Sequence, residues 1–294
     1  MPDERNQRVS ELFDKGVELY NEFKLEEAIS VFTDLLENYS EEIPLSNIHQ
    51  WLGLSYAHLP NYDLATKHLL IALDGCDTGL DRLVILDKLG YVNYAQSNYT
   101  ESLQYYNKAE SLIELYNNKE WYSNHYLHYL NKGRCKLYLG EHSLALQDFE
   151  RALGIVNQYS DQSDSAADAN LLGLEIGIAA VYTRQLEKAD AFLSNVNIGL
   201  LDNTCLPHFY FNRGKLGILR KNYALALENL TKYEKLGVID ENKAEAYCLL
   251  GVSYYHTYQD AEAKRYFTMA LEYPAESEWI HEKCSEYLQA MNKT

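Results

Sequence analysis

The stretch AEAYCLLGVSYYHTYQDAEAKRYFTMALEYPA, residues 244–275, holds the pattern that decides the fold. Within it Gly251 is followed by Ala263 at twelve residues, Phe267 at sixteen and Ala270 at nineteen. The three later positions are separated by four and three, so they share one face of a helix. Gly251 lies on a separate, earlier helix, because the polar segment Thr257-Tyr258-Gln259-Asp260 breaks the apolar pattern between them. A glycine and an alanine facing each other let two antiparallel helices approach closely, and the large residue four positions on fills the space beside them.

The same spacing recurs along the whole chain. Gly16, Gly53, Gly90, Gly133, Gly177, Gly214 and Gly251 are separated by 37, 37, 43, 44, 37 and 37 residues. Twelve residues after each stands a small side chain: Ala28, Ala65, Ser102, Ala145, Ala189, Ala226 and Ala263. Sixteen after it stands a large one: Phe32, Leu69, Tyr106, Phe149, Leu193, Leu230 and Phe267. Nineteen after it come Leu35, Ala72, Ala109, Ala152, Val196, Tyr233 and Ala270. Coordinated agreement at four positions predicts seven helix-turn-helix units, an all-α chain of stacked repeats. Tyr62, Tyr99 and Tyr223, nine residues after their glycines, pack the start of the second helix.

In these residues the chain resembles the tetratricopeptide repeat (TPR), with residues 244–275 the best match and Pro274 closing the unit. Two departures stand out. The period exceeds the family's 34 residues, and the tryptophan expected early in the first helix is missing, Trp51 being displaced. The resemblance implies a right-handed α-solenoid of about seven repeats plus a C-terminal capping helix, one domain spanning 1–294. Approximate repeats are 9–45, 46–81, 82–118, 119–160, 166–203, 205–241 and 242–275, with the cap at 276–291. Residues 75–79 and 198–202 read as loops, Glu110–Asn118 as an extension of a second helix, and 160–165 as a polar loop.

Composition narrows the function. Apolar residues make up 47%, which suits a packed core, and only 5 of 294 residues are proline, which breaks helix interiors. The formal charge of −17 repels phosphate backbones and anionic lipid, so neither nucleic acid nor membrane is expected as a partner. Residues 1–42 carry 12 acidic and 4 basic side chains, a solvated end of the array or a docking surface for a basic partner. The five cysteines, Cys76, Cys135, Cys205, Cys248 and Cys284, are spread without a Cys-x-x-Cys pair, so reduced thiols are expected. With no apolar leader and no run of 18 apolar residues, the chain reads as cytoplasmic.

Phosphate-binding glycine loops, dinucleotide-binding turns and nucleophile elbows are all absent from the sequence, so no enzyme activity and no cofactor is expected. His125 and His128 share a helix face, but no further ligand stands at metal spacing and tyrosines 122, 126 and 129 surround them. Tyr56, Tyr106, Tyr233 and Tyr254 occupy repeat positions that face neighbouring helices and read as core.

The resemblance also implies that the first helices line a concave groove that binds proteins or peptides. The positions expected to face it are three and two residues before each glycine and one, four and five after. They include Lys88, Tyr91, Tyr94, Asn131, Arg134, Tyr138, Asn212, Lys215 and Tyr255, together with Gln50, Glu175 and Tyr182. Asparagine amides can hold a peptide backbone, Arg134 and Lys215 a carboxylate, and tyrosines offer rigid contact area. The family's clamp for a partner's C-terminal carboxylate needs Lys and Asn, then Asn, then Lys and Arg in consecutive repeats. No three repeats supply it here, which argues against a chaperone-tail role. A non-catalytic scaffold or adaptor is therefore expected, with a peptide-sensing regulator as the alternative. Such sensors carry an extra output domain, for which a first repeat beginning near Ser10 leaves no room.

Overall fold

The computed structural model describes residues 2–76, 79–115, 122–159, 165–237, 242–274 and 278–293. Among them every regular element is a helix, and they form an α-solenoid of helix pairs. The chain divides into two compact units, Met1–Ile155 and Val156–Thr294.

The first unit pairs α1 (Pro2–Asn21) with α2 (Leu25–Asn38), α3 (Leu45–His58) with α4 (Tyr62–Asp74), and α5 (Gly79–Ala95) with α6 (Tyr99–Leu115). It also holds α7 (Tyr122–Tyr138) and most of α8 (His142–Gln158). In the second unit α9 (Ser165–Tyr182) pairs with α10 (Leu186–Asn195), α11 (Cys205–Leu219) with α12 (Tyr223–Lys235), and α13 (Lys243–His256) with α14 (Asp260–Leu271). A last helix, α15 (Glu278–Met291), packs on α13 and α14.

Each of the seven glycines sits directly against the large residue sixteen positions on. A β-carbon built at Gly133 or Gly251 would stand 2.5 Å from the ring of Phe149 or Phe267, and one at Gly53 2.6 Å from Leu69. Gly16, Gly90, Gly177 and Gly214 meet Phe32, Tyr106, Leu193 and Leu230 at 2.6–2.7 Å. The small residues at offset twelve are all fully buried. Ser102, the one that is not alanine, donates its hydroxyl to the Gly90 carbonyl at 2.7 Å and lies 3.1 Å from Cys135 Sγ. The chain thus spends a serine where alanine suffices and satisfies it on the partner helix, as a buried hydroxyl requires.

A second rule sits in the turns. Phe23, Ser97, Gly140, Arg184, Lys221 and Tyr258, each seven residues after its glycine, adopt φ between 56° and 78°. At Ser97, for example, the Ser97 amide donates to the Tyr94 carbonyl and the Asn98 amide to the Asn93 carbonyl. That pair of bonds is a Schellman motif, which ends the first helix and reverses the chain. Asn61 and Asn222 then cap the second helix, accepting from the amides of Leu64 and Leu225.

Sequence expectations and structure differ at both ends of the repeat. Helix α1 begins at Pro2, before the residue 9 that the glycine register suggests; Arg5 holds this extra length by pairing with Glu42 and lying over the Tyr39 ring. The 198–202 loop contains a single 3-10 turn, Ile198–Leu200. Helix α6 extends through Glu110 to Leu115, while 116–118 and 160–164 lie outside the described residues. Tyr106 and Tyr233 are fully buried; Tyr56 and Tyr254 are half-buried, stacked on His68 and Tyr266. Trp51 stacks on Phe32 between the first two pairs, filling the core from its displaced position.

Candidate partner-binding clefts

In the first unit the candidate side chains of α5 and α7 are more occupied than exposed. The Lys88 ammonium lies 5.4 Å from the centre of the Tyr91 ring, and burial lowers its pKa against the opposing pull of Asp87. Tyr91 is itself tied to the Tyr62 hydroxyl, and burial followed by that neighbour raises its phenol. Asn131 is only partly exposed. Arg134 is half-buried on α7.

Tyr94, Tyr99 and Tyr138 come together. Tyr99 and Tyr138 stack with parallel planes at 4.6 Å, and Tyr94 lies 6.2 Å from Tyr138. Tyr138 is 53% exposed, so this cluster offers a flat aromatic surface to solvent. Gln50 is buried and reaches toward Asp81 at 3.4 Å.

Of His125 and His128, both buried, the second is held by a carboxylate. His128 Nδ1 lies 2.6 Å from Asp87 Oδ1, and its ring packs edge-on against Tyr106 and Tyr129. Nearby, Lys132 is buried and bonds Glu110 at 2.7 Å, and Lys136 pairs with Asp148 at 2.6 Å. Among the described residues no group of three His, Cys, Asp or Glu side chains is placed to hold a metal. No described helix is long and apolar enough to cross a membrane. The five cysteines are free thiols, and burial pushes that of Cys135 up to about 11.

The second unit holds an open cleft of about 630 Å³, lined by α9, α11, α13 and α15 together with the turn after α9. Its volume falls within the roughly 300–1,000 Å³ typical of ligand sites. Lys215 sits on one wall, 2.8 Å from Glu245 on α13, with its ammonium 4.3 Å from the centre of the Tyr182 ring. Tyr182 is 36% exposed and Trp279, on α15, 43% exposed. Arg184 at the turn and Lys283 on α15 complete the lining, and neither has a carboxylate partner among the described residues. Lys283 has instead the Tyr287 ring at 5.9 Å.

Two other candidates of this unit stand apart from the cleft. Asn212 is 3% exposed and donates its amide to the His208 carbonyl of its own helix, so burial keeps it from a ligand. Tyr255 packs edge-on against Tyr287 of α15 at 4.9 Å, so the last helix covers the position the repeat register leaves open. Glu175 is buried. Arg184, Trp279 and Lys283 were beyond the reach of the register: Arg184 belongs to a turn, and the other two to a helix without a repeat glycine. One signal for the latter pair is present, since residues 279 and 283 are four apart and share a helix face.

No family model matches the chain, and no curated protein matches it in sequence. Its fold is found in solved structures. A tetratricopeptide repeat protein from Parabacteroides merdae ATCC 43184 is 18% identical, with 95% of this chain and 98% of that one covered and a TM-score of 0.54. The apo form of the quorum sensor NprR from B. thuringiensis is 14% identical over 98% of this chain and 82% of its own, with a TM-score of 0.62. NprR in complex with its cognate peptide NprX gives 14% identity, coverage of 97% and 83%, and a TM-score of 0.60. The fold is that of the tetratricopeptide-repeat solenoids.

Proposed function

We propose that this chain is a non-catalytic scaffold that holds a protein or peptide on the face formed by the first helices of its repeats. The single observation that carries the reading is the second-unit cleft, built from successive first helices and α15 and lined by exposed rings and cations. Interface hot spots are enriched in Trp, Tyr and Arg, and all three meet here in Trp279, Tyr182 and Arg184. The stacked Tyr99 and Tyr138 pair gives the first unit a smaller surface of the same kind. The net charge of −17 speaks against nucleic acid and anionic membrane as partners.

A second reading, a peptide-sensing regulator, is favoured by the likeness to NprR, whose structure with a cognate peptide shares this fold. Small-angle scattering separates the two. A sensor changes its radius of gyration when a bound ligand saturates it, whereas a static scaffold does not.

The scaffold reading is tested by placing a photo-crosslinking amino acid at Tyr138, at Tyr182 and, as controls, at the exposed Leu70 of α4 and Leu271 of α14. Illumination in the source cells should yield a shared crosslinked protein from the first two positions and not from the controls. Crosslinks confined to the control positions would place the partner surface on the second helices.

A further inference from the structure

The second-unit cleft carries more than the fact that it is open. Of the four charged side chains among the described residues that line it, Arg184, Lys215 and Lys283 are cationic and Glu245 is anionic. That excess of two positive charges stands in a chain of net charge −17. Glu245 is already engaged with Lys215, so the two cations left to a ligand are Arg184 and Lys283. The same cleft is lined by the accessible rings of Tyr182 and Trp279.

We propose that this cleft recognises an acidic peptide segment, with Arg184 and Lys283 taking its carboxylates and Trp279 and Tyr182 taking an adjacent apolar side chain. The proposal rests on the scaffold reading above and names its ligand. Charge complementarity selects the occupant. A carboxylate docks on a guanidinium through paired N–H···O bonds, and an ammonium supplies a second point charge. A basic segment would meet Arg184 and Lys283, and the one carboxylate among the described lining residues is already paired. Nucleic acid would bring a charge on every nucleotide against the acidic body of the protein, whereas a short peptide brings only a few. At physiological ionic strength the screening length is about 8 Å, so cations in contact with the ligand outweigh acidic residues farther away.

The inference changes the role of α15. It packs on α13 and α14, and its Trp279 and Lys283 also line the site. The same helix covers Tyr255, so it removes one binding position and supplies two.

The experiment is a selection of random nonapeptides, without phosphorylation, displayed against the full chain. Enriched peptides are then measured individually by fluorescence anisotropy. The parent should enrich sequences with Asp or Glu beside a large apolar residue. Those peptides should bind Arg184→Glu/Lys283→Glu at least roughly tenfold more weakly, and Trp279→Ala more weakly too, with thermal melting unchanged. Arg184→Gln/Lys283→Gln serves if the reversed charges disturb folding, and Arg184→Lys/Lys283→Arg should restore binding in part. Enriched peptides that are neutral or basic, or that bind the charge variants as they bind the parent, would overturn the proposal. So would the absence of any enriched peptide. Acidic peptides whose binding is lost in Tyr138→Ala but kept in the charge variants would leave the scaffold reading standing and remove only this assignment.

Discussion

At the scale of single residues the fold rests on seven contacts between a glycine and a large side chain. Any β-carbon there would lie 2.5–2.7 Å from its neighbour, inside van der Waals contact. Gly251→Ala should therefore cost about 1–3 kcal/mol, read as a lowered unfolding midpoint, because overpacking forces the helices apart. Gly154 is the internal control. It lies within α8 with no atom inside 4 Å of a built β-carbon, so Gly154→Ala should stabilise by up to about 1 kcal/mol. Ala145, fully buried, should respond to Leu as Gly251 does to Ala. These positions were legible in the sequence because a close approach admits only one or two residue types, and the constraint repeats seven times. Candidate binding residues lack that discipline. Asn212 and Asn131 suit a peptide's backbone by chemistry, yet the first is buried with its amide bonded to its own helix and the second is only partly exposed. A further residue-level consequence concerns His49 and His68, whose Nδ1 atoms lie 2.7 Å apart. Burial, then the His49 ring and Lys67, lowers the His68 pKa to about 4, and burial followed by Lys67 lowers that of His49. The unfolded chain thus binds protons near pH 6.5 that the folded chain refuses, so this pair's contribution is intact above that pH and declines as pH falls toward 4. Thermal melts between pH 7 and 4.5 should show a shallower loss for His68→Phe than for the parent. Equal slopes would detach the acid sensitivity from this pair.

At the scale of elements the helices and their order follow from the register, but the way they reverse does not. All the first-helix ends named above place a residue of positive φ seven positions after the glycine, and only at Gly140 is it glycine. Phe23, Ser97, Arg184, Lys221 and Tyr258 hide the motif, since none of these side chains announces a left-handed conformation. Left-handed backbone costs an ordinary residue about 1–2 kcal/mol, which glycine avoids at some entropic cost in the unfolded chain. Gly140→Ala should accordingly destabilise by about 1 kcal/mol. Tyr258→Gly, at a site 94% exposed with little packing to lose, should stabilise by up to about the same amount. Chemical denaturation of both variants checks the pair, and shifts of the same sign would contradict the shared turn geometry. The terminal helix shows the other limit of a register. With no repeat glycine in α15, nothing in the spacing aligns Trp279 and Lys283 with residues of α9 and α11.

At the scale of the molecule, repetition explains both what the chain does well and why its ligand is hard to read. Each repeat buries its small and large residues against immediate neighbours, so the seven glycines identify the fold. The exposed face of the first helices is free to vary, and what it binds depends on which exposed side chains two or three repeats bring together. Lys215 was foreseeable from its place one residue after Gly214; that it would be held by Glu245, leaving Arg184 and Lys283 to act, was not. Partner binding on the first helices is tested by equilibrium binding of the crosslinked partner to Tyr138→Ala, Tyr182→Ala, Leu70→Ala and Leu271→Ala, each checked for an unchanged fold. A loss of roughly tenfold or more, about 1.4 kcal/mol, is expected for one or both tyrosine variants, with near-parent affinity for the leucine variants. Affinity lost only in the leucine variants would contradict it, placing the partner on the second helices.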